Sequence, residues 1–146
     1  MKNASTRRSM VVQSVALAAA GVVGANVGAA TPATYKVVFQ VSDADPGKWQ
    51  MTLNNVRNAQ AELGQDKVQV EIVAYGPGIA MLKADSEVAA RLVEAAQAGT
   101  AVLACENSMR GFKLARTQMA GPVAYVPSGV AHLIRRQAEG YAYIRS

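Results

Sequence analysis

The stretch TAVLACENS at residues 100–108 decides the fold class of this chain. Its first six residues, Thr100–Cys105, are small or apolar throughout, which is typical of a central strand covered on both faces of a parallel sheet. Asn107 or Ser108 is placed to cap a helix that runs on towards Arg116. We therefore predict a buried strand that leads directly into a helix, with the cysteine at the junction.

Segments with strand and helix character alternate on both sides of this stretch. Strands are indicated by β-branched, aromatic or alternating apolar residues, and helices by apolar residues at helical spacing. The predicted strands are residues 35–41, 68–75, 100–105, 123–126 and 141–144. The predicted helices are residues 46–63, 87–98, a third that runs through Arg110 towards Arg116, and residues 129–139.

Capping residues mark the starts of these helices. Asp45 precedes Pro46, which is a typical helix start because the carboxylate caps free N–H groups and proline suits the first helical position. Ser86 and Ser128 are the expected N-caps of the second and fourth helices. We expect the second helix to bury a stripe made of Val88, Leu92, Val93 and Ala96. The expected inner face of the fourth helix is Val130, Leu133, Ile134 and Gln137.

The alternation of strands and helices predicts an α/β fold. Strands that are separated by helices of ten or more residues need crossover connections, and strands joined in this way pair in parallel. We therefore expect a mainly parallel five-stranded sheet with helices on both sides. This single domain is expected to span residues 35–146, after a short linker at residues 31–34 that contains Pro32.

Residues 1–30 have the three parts of a cleavable export signal. A basic segment with Arg7 and Arg8 comes first, an uncharged apolar run follows at residues 10–24, and small residues at 27–30 suit a signal peptidase. The two arginines precede one variable and two apolar residues, an order that resembles a twin-arginine signal. We expect the mature protein to be exported, in a bacterium to the periplasm.

A retained membrane anchor is the alternative for this segment, because residues 10–30 are uncharged and just long enough to span a bilayer. Three polar residues, Gln13, Ser14 and Asn26, together with three glycines, make the run a poor anchor. We therefore expect cleavage of the signal and no stable membrane insertion afterwards.

The charge of the whole chain overstates how basic the domain is. The formal net charge is +5, but residues 1–30 hold three of the fifteen basic residues and none of the ten acidic ones. The rest of the chain has a net charge of +2 and no basic run. It lacks the electrostatic footprint of a protein that binds nucleic acid or anionic lipid, so we expect no nucleic-acid partner.

Cys105 is the only cysteine, so it forms no disulfide within the chain. Ligands of open α/β sheets gather outside the carboxyl ends of the strands, and a helix N-terminus lowers the pKa of a nearby thiol. Arg110 and Lys113 are placed to strengthen this effect, and Glu106 is placed to oppose it. Cys105 is therefore a candidate nucleophile, and the alternative is an inert side chain buried in the core.

His132 and the glycine-rich loop carry weaker signals. The single histidine lies between apolar neighbours, is expected at the surface or an edge, and has no second ligand at metal spacing. A catalytic pair of Cys105 and His132 has no orienting partner in the sequence. The loop Gly76-Pro77-Gly78 lacks the spacing of a phosphate loop, so it is either a ligand-facing loop or a plain turn. We expect no metal and no organic cofactor.

Three local strings, taken in order, carry a family resemblance. Residues 99–109 (GTAVLACENSM) combine a small-residue turn, an apolar strand and a cysteine that opens a helix. Residues 75–79 (YGPGI) and 126–130 (VPSGV) add two loops that follow strands. Together they resemble the DsrE/DsrF-like family, particularly an uncharacterised branch of it, from about Tyr35 to Ser146. The resemblance implies a three-layer α/β/α domain that assembles as a homo-oligomer, commonly a trimer or a hexamer.

The same resemblance implies a cysteine that carries sulfur as a persulfide, and Cys105 is the residue that matches. We therefore expect an exported sulfur-binding or sulfur-transfer protein that takes sulfane sulfur from a donor and passes it to an acceptor. Donor and acceptor are other proteins or small sulfur compounds. Backbone N–H groups around Asn107 and Ser108 are expected to stabilise the anion, with Arg110 beside them and the Gly76–Gly78 loop across the mouth.

Two other functions remain open from the sequence. One is a non-catalytic exported binding or assembly module of the same fold, in which Cys105 is structural. The other is a nucleotide- or flavin-binding domain, for which the sequence has no phosphate-binding signature. Slow labelling of the thiol in the folded protein is expected for the first, and flavin absorbance for the second.

Overall fold

The computed structural model describes residues 32–146, and the predicted export signal at residues 1–30 lies outside the described residues. The described part of the linker, residues 32–34, forms neither helix nor strand. Among residues 32–146, no helix is both long and apolar enough to cross a membrane.

Five strands form one sheet in which every neighbouring pair is parallel. The strands are β1 (Tyr35–Val41), β2 (Val68–Ala74), β3 (Thr100–Cys105), β4 (Val123–Val126) and β5 (Ala142–Arg145). Their order across the sheet is β4-β3-β2-β1-β5, so β3 lies inside the sheet between β2 and β4. The predicted five-stranded α/β fold is confirmed, and its sheet is parallel throughout.

Four α-helices and two short 3₁₀ helices connect the strands within residues 32–146. The α-helices are α1 (Pro46–Leu63), α2 (Ala89–Gln97), α3 (Glu106–Gly111) and α4 (Gly129–Ala138). The 3₁₀ helices are Gly76–Leu82 and Arg116–Gln118.

Two of the predicted caps are confirmed. The Asp45 carboxylate accepts a hydrogen bond from the Gly47 N–H at 2.8 Å, and Pro46 is the first residue of α1. The Ser128 hydroxyl accepts from the Ala131 N–H at 3.3 Å. Each bond satisfies an N–H group that has no partner inside its helix, and so fixes where that helix begins.

The strand order divides the helices between the two faces of the sheet. The connections from β1 to β4 all step in one direction, and the last connection returns to β5 at the opposite edge. Right-handed crossovers therefore place α1, α2 and α3 on one face and α4 on the other. The larger core cluster contains Leu53, Leu92 and Met109, one from each of the first three helices. The smaller cluster packs Leu133 of α4 with Val73 of β2.

Only one residue of the predicted inner face of α4, Leu133, is buried against the sheet. Val130 is 50% exposed and Ile134 is 62% exposed, whereas His132 and Leu133 are buried. Residues three and four positions apart share a helix face, so the orientation is set by the side chains that find partners on the sheet. Glu71 of β2 is such a partner for His132, which turns the two apolar residues outward.

The predicted third helix is shorter than expected. Helix α3 ends at Gly111 and does not continue towards Arg116. Lys113 adopts a positive φ of 56°, and the Leu114 N–H turns back to the Met109 carbonyl at 2.8 Å, so the chain leaves the helix here. The N-cap position is occupied by Cys105 itself and not by Asn107 or Ser108.

The start of α2 and the loop after β2 also differ from the prediction. Helix α2 begins at Ala89, because Ser86 remains in the preceding turn and its hydroxyl accepts from the Val88 N–H at 3.4 Å. Within α2, Leu92 is fully buried but Val93 is 40% exposed, so the buried stripe is narrower than expected. The glycine-rich loop after β2 continues as the 3₁₀ helix Gly76–Leu82.

Gly78 lies against the end of β1 with no room for a side chain. A Cβ atom there would overlap the Val41 carbonyl group and would lie 2.9 Å from the Ser42 Cα atom. We expect Gly78→Ala to lower the free energy of unfolding by about 1–3 kcal/mol, because the backbone must shift to relieve the overlap. Urea-induced unfolding measures the change.

Gly111→Ala is the matched control, since a Cβ atom at Gly111 meets nothing within 4 Å. We expect it to leave the stability unchanged or to raise it by up to about 1 kcal/mol. Equal effects of the two substitutions would contradict the close packing of Gly78 against β1.

Candidate functional site

Cys105 lies where two helices begin. It is the last residue of β3 and the N-cap of α3, and it is 4% exposed. Parallel pairing places Val126, the last residue of β4, directly beside it. The chain then needs only two residues to reach α4, whose first residue is Gly129. A Cβ atom at Gly129 would lie 3.3 Å from the Cys105 Cβ atom, so the two helix starts meet at this cysteine.

Opposing effects act on the pKa of the Cys105 thiol. Burial raises it, because a charged sulfur loses solvation. Hydrogen bonding from the Ser108 side chain and from the backbone of Gly129, Ser108 and Asn107 lowers it, and these donors prevail. The pKa of Cys105 therefore lies below its ordinary value, which increases the fraction of the nucleophilic thiolate at neutral pH.

Ser108 links the glycine-rich loop to the cysteine. Its Oγ atom accepts a hydrogen bond from the Gly76 N–H at 2.7 Å, which leaves the hydroxyl proton free to be donated to the sulfur. Gly76 has a φ of +54°, a conformation that L-residues with side chains rarely adopt. The loop thus orients the hydroxyl that donates to the sulfur.

The other residues of the predicted loop lie differently. The Gly78 N–H donates to the Ser42 carbonyl at 3.1 Å, so Gly78 anchors the loop to β1 and does not reach the cysteine through a hydrogen bond of its own. Pro77 is exposed between the two glycines. Of the three predicted loop residues, Gly76 is the one that is linked to the site, through its hydrogen bond to Ser108.

The charged side chains near α3 are bound to neighbouring side chains. Arg110 donates a hydrogen bond to the side-chain oxygen of Asn107, and both residues are exposed. The Glu106 carboxylate pairs with Arg116, whose guanidinium lies 4.2 Å from the centre of the Tyr125 ring. The acidic neighbour of Cys105 is therefore neutralised by a partner of its own.

His132 is buried, so the expected surface or edge position is wrong. Its Nε2–H donates to the Glu71 Oε2 atom at 2.7 Å, and the Arg136 guanidinium binds both carboxylate oxygens of Glu71, at 2.8 and 3.0 Å. Because Glu71 of β2 bonds the imidazole, His132 can be buried between α4 and the sheet although its neighbours in the sequence are apolar. Within residues 32–146, no three His, Cys, Asp or Glu side chains come together as a set of metal ligands.

Sequence reasoning missed two residues of this region, Gly129 and Glu71. The N-cap signal at Ser128 marked the start of α4, and it needed only the strand order to place that start beside Cys105. In the sequence, Glu71 is one polar residue that alternates with apolar residues in the predicted strand at 68–75. Its pairing with His132 and Arg136 is visible only once α4 is placed over β2.

The order of these elements and the cysteine at the end of β3 agree with one known family. The model of the DsrE/DsrF-like family matches residues 35–145. The chain belongs to the DsrE/DsrF-like family. The match covers the whole sheet and all four α-helices of the described part of the chain. Among curated proteins, no sequence matches the chain.

Solved structures resemble this DsrE/DsrF-like domain over its full length. A protein of unknown function from Methanobacterium thermoautotrophicum, MTH1491, is 38% identical, with a TM-score of 0.74, over 77% of this chain and 99% of the other. The protein of unknown function BT1422 from Bacteroides thetaiotaomicron is 18% identical, with a TM-score of 0.60, over 76% and 94% of the two chains. The ychN protein from E. coli is 14% identical, with a TM-score of 0.60, over 77% and 99%. At such low identities the last two show the shared fold alone.

Replacing Ser108 tests the origin of the lowered pKa in this DsrE/DsrF-like domain. In Ser108→Ala the sulfur loses its side-chain donor, so we expect the pKa of Cys105 to rise. The rate of alkylation by iodoacetamide follows the thiolate fraction, and its dependence on pH gives the pKa. The inflection of this profile is expected to move to higher pH.

Ser86→Ala is the control, because the Ser86 hydroxyl bonds the Val88 N–H at 3.4 Å and belongs to the turn before α2. It is expected to leave the inflection where it is in the native protein. An unchanged inflection in Ser108→Ala would show that the hydroxyl does not stabilise the thiolate.

Proposed function

We propose that this chain is an exported sulfur-binding or sulfur-transfer protein that carries sulfane sulfur as a persulfide on Cys105. The observation that carries the proposal is the position of Cys105 at the adjoining starts of α3 and α4, with Gly129 packed against it. Hydrogen bonding from Ser108 and Gly129 lowers the pKa of its thiol. Membership of the DsrE/DsrF-like family supports it, because the family includes sulfur-relay proteins. Neither a metal nor an organic cofactor is needed for this chemistry.

The proposed reaction is a nucleophilic exchange at sulfur. The Cys105 thiolate attacks the outer sulfur of a polysulfide or of thiosulfate, a new S–S bond forms, and the old bond breaks. The leaving group is a polysulfide shorter by one sulfur or, from thiosulfate, sulfite, which departs with the electron pair of the broken bond. An acceptor thiolate then attacks the outer sulfur of the persulfide and releases Cys105 as thiolate.

The helix starts around Cys105 suit both states of this cycle. The thiolate and the persulfide are anions, and the free N–H groups at a helix N-terminus stabilise negative charge. Donors that are already fixed by the fold need no reorganisation when the anion forms. Gly76 fixes one of them by holding Ser108 through a 2.7 Å hydrogen bond.

The burial of Cys105 supports a second candidate function. A cysteine that is 4% exposed packs as a small apolar residue does, which suits a non-catalytic exported binding or assembly module of the same fold. In that case the thiol reacts only when the protein opens, and its replacement by serine leaves binding and assembly intact. Accessibility to a small sulfur donor separates the two functions.

Sulfur loading provides the decisive test. The purified mature protein is incubated with polysulfide or thiosulfate, and intact mass spectra are taken beside Cys105→Ser. We expect a gain of whole sulfur atoms in the native protein, removed by dithiothreitol and absent in the variant. An unmodified thiol that also resists alkylation until the protein is denatured would contradict the carrier function and favour the structural role.

The cellular setting is part of the same proposal. Residues 1–30 act as a cleaved signal, the mature chain works in the periplasm, and it assembles as a homo-oligomer, a trimer or a hexamer. Its partners are sulfur donors and acceptors outside the cytoplasm. Replacing Arg7 and Arg8 together by lysine is expected to retain the uncleaved chain in the cytoplasm, as measured by fractionation and mass spectrometry. Unchanged export would contradict the twin-arginine route.

A further inference from the structure

Few apolar side chains hold α4 to the sheet. Leu133 is buried against β2 and its neighbours, but Val130 and Ile134 face outward and are at least half exposed. Helix α4 is also the single helix on its face of the sheet in the described chain. Contacts other than apolar packing therefore contribute to its position.

A buried carboxylate supplies these contacts. Glu71 lies in the middle of β2, and its side chain is 4% exposed. It accepts hydrogen bonds from His132 and from the Arg136 Nε atom, and the Arg136 Nη2 atom pairs with its other oxygen at 2.8 Å. Both residues belong to α4. A buried carboxylate without partners is strongly unfavourable, so His132 and Arg136 are held where they contact Glu71.

The first turn of α4 connects this cluster to the cysteine. His132 donates its backbone N–H to the Ser128 carbonyl at 3.0 Å, which makes it the last residue of the turn that begins at the N-cap. Gly129, at the other end of the same turn, packs against the Cys105 and Tyr75 side chains. A displacement of His132 along or away from the sheet therefore moves Gly129 relative to the sulfur.

We propose that Glu71 is a positioning residue for the Cys105 nucleophile: by binding His132 and Arg136 it holds the start of α4, with the Gly129 N–H, against the sulfur. Glu71 acts through the helix and does not need to touch the reacting atoms. This inference rests on the proposed function in which Cys105 is the nucleophile. It adds a residue that is 34 positions away from Cys105 in the sequence and lies on another strand.

Glu71→Gln tests this role because it keeps the size of the side chain and removes the charge. We expect the inflection of the pH profile of Cys105 alkylation to move to higher pH, since the Gly129 donor is no longer held in place. Once the pKa lies above neutral pH, the thiolate fraction at that pH falls about tenfold for each further unit of pKa. The readout is the pH of the inflection and not the absolute alkylation rate, because a loosened helix also changes access to the thiol.

Glu139→Gln is a matched control. Glu139 also pairs with Arg136, at 2.6 Å, but its side chain is 49% exposed and it follows the last turn of α4. The same loss of charge there is expected to leave the inflection unchanged. A folded Glu71→Gln protein with lowered thermal stability and an unchanged inflection would overturn the proposal, since Glu71 would then only support the fold.

Arg136→Gln keeps the test decisive if Glu71→Gln does not fold. It removes both guanidinium contacts to Glu71 and leaves the His132 hydrogen bond in place. We expect a shift in the same direction, with a smaller shift in Arg136→Lys, and no shift in either would overturn the proposal. The readout needs no sulfur donor, so failure of sulfur loading in the native protein contradicts the proposed function separately.

Discussion

Parallel pairing of β3 with β4 is the constraint on which the site depends. Because the two strands run in the same direction, their carboxyl ends lie side by side at the same end of the sheet, with Cys105 beside Val126. The chain turns into a helix after each strand, so α3 and α4 begin side by side at the sulfur. If β4 were antiparallel to β3, the helix that follows β4 would begin at the other end of the strands, away from Cys105.

Two physical effects compete at the sulfur, and the fold decides between them. Burial alone disfavours the thiolate and would give an inert core cysteine. Fixed donors reverse this preference, and each depends on a contact made elsewhere: Gly76 holds the Ser108 hydroxyl, and Glu71 holds α4. The chemistry of one side chain therefore depends on a loop, two helix starts and a buried carboxylate.

The sequence predicted what local patterns determine. The apolar run that ends at Cys105 predicted the central strand, and Asp45 and Ser128 predicted two helix starts, since propensity and capping act over a few residues. Strand order is a long-range property, so the proximity of Gly129 to Cys105 was not predictable. The buried face of α4 was predicted only in part, for a related reason: hydropathy favoured Ile134, whereas the structure favours the side chain that binds Glu71.

Direct titration of the Cys105 thiol tests most directly whether the fold stabilises its thiolate. The ultraviolet absorbance of the thiolate, taken as the difference between the native protein and Cys105→Ser, is followed against pH in buffer and in denaturant. We expect the thiolate to appear at lower pH in the folded protein than in the unfolded chain, because the donors outweigh burial. Appearance at the same or a higher pH in the folded protein would contradict this view and would leave Cys105 as a buried residue of the core.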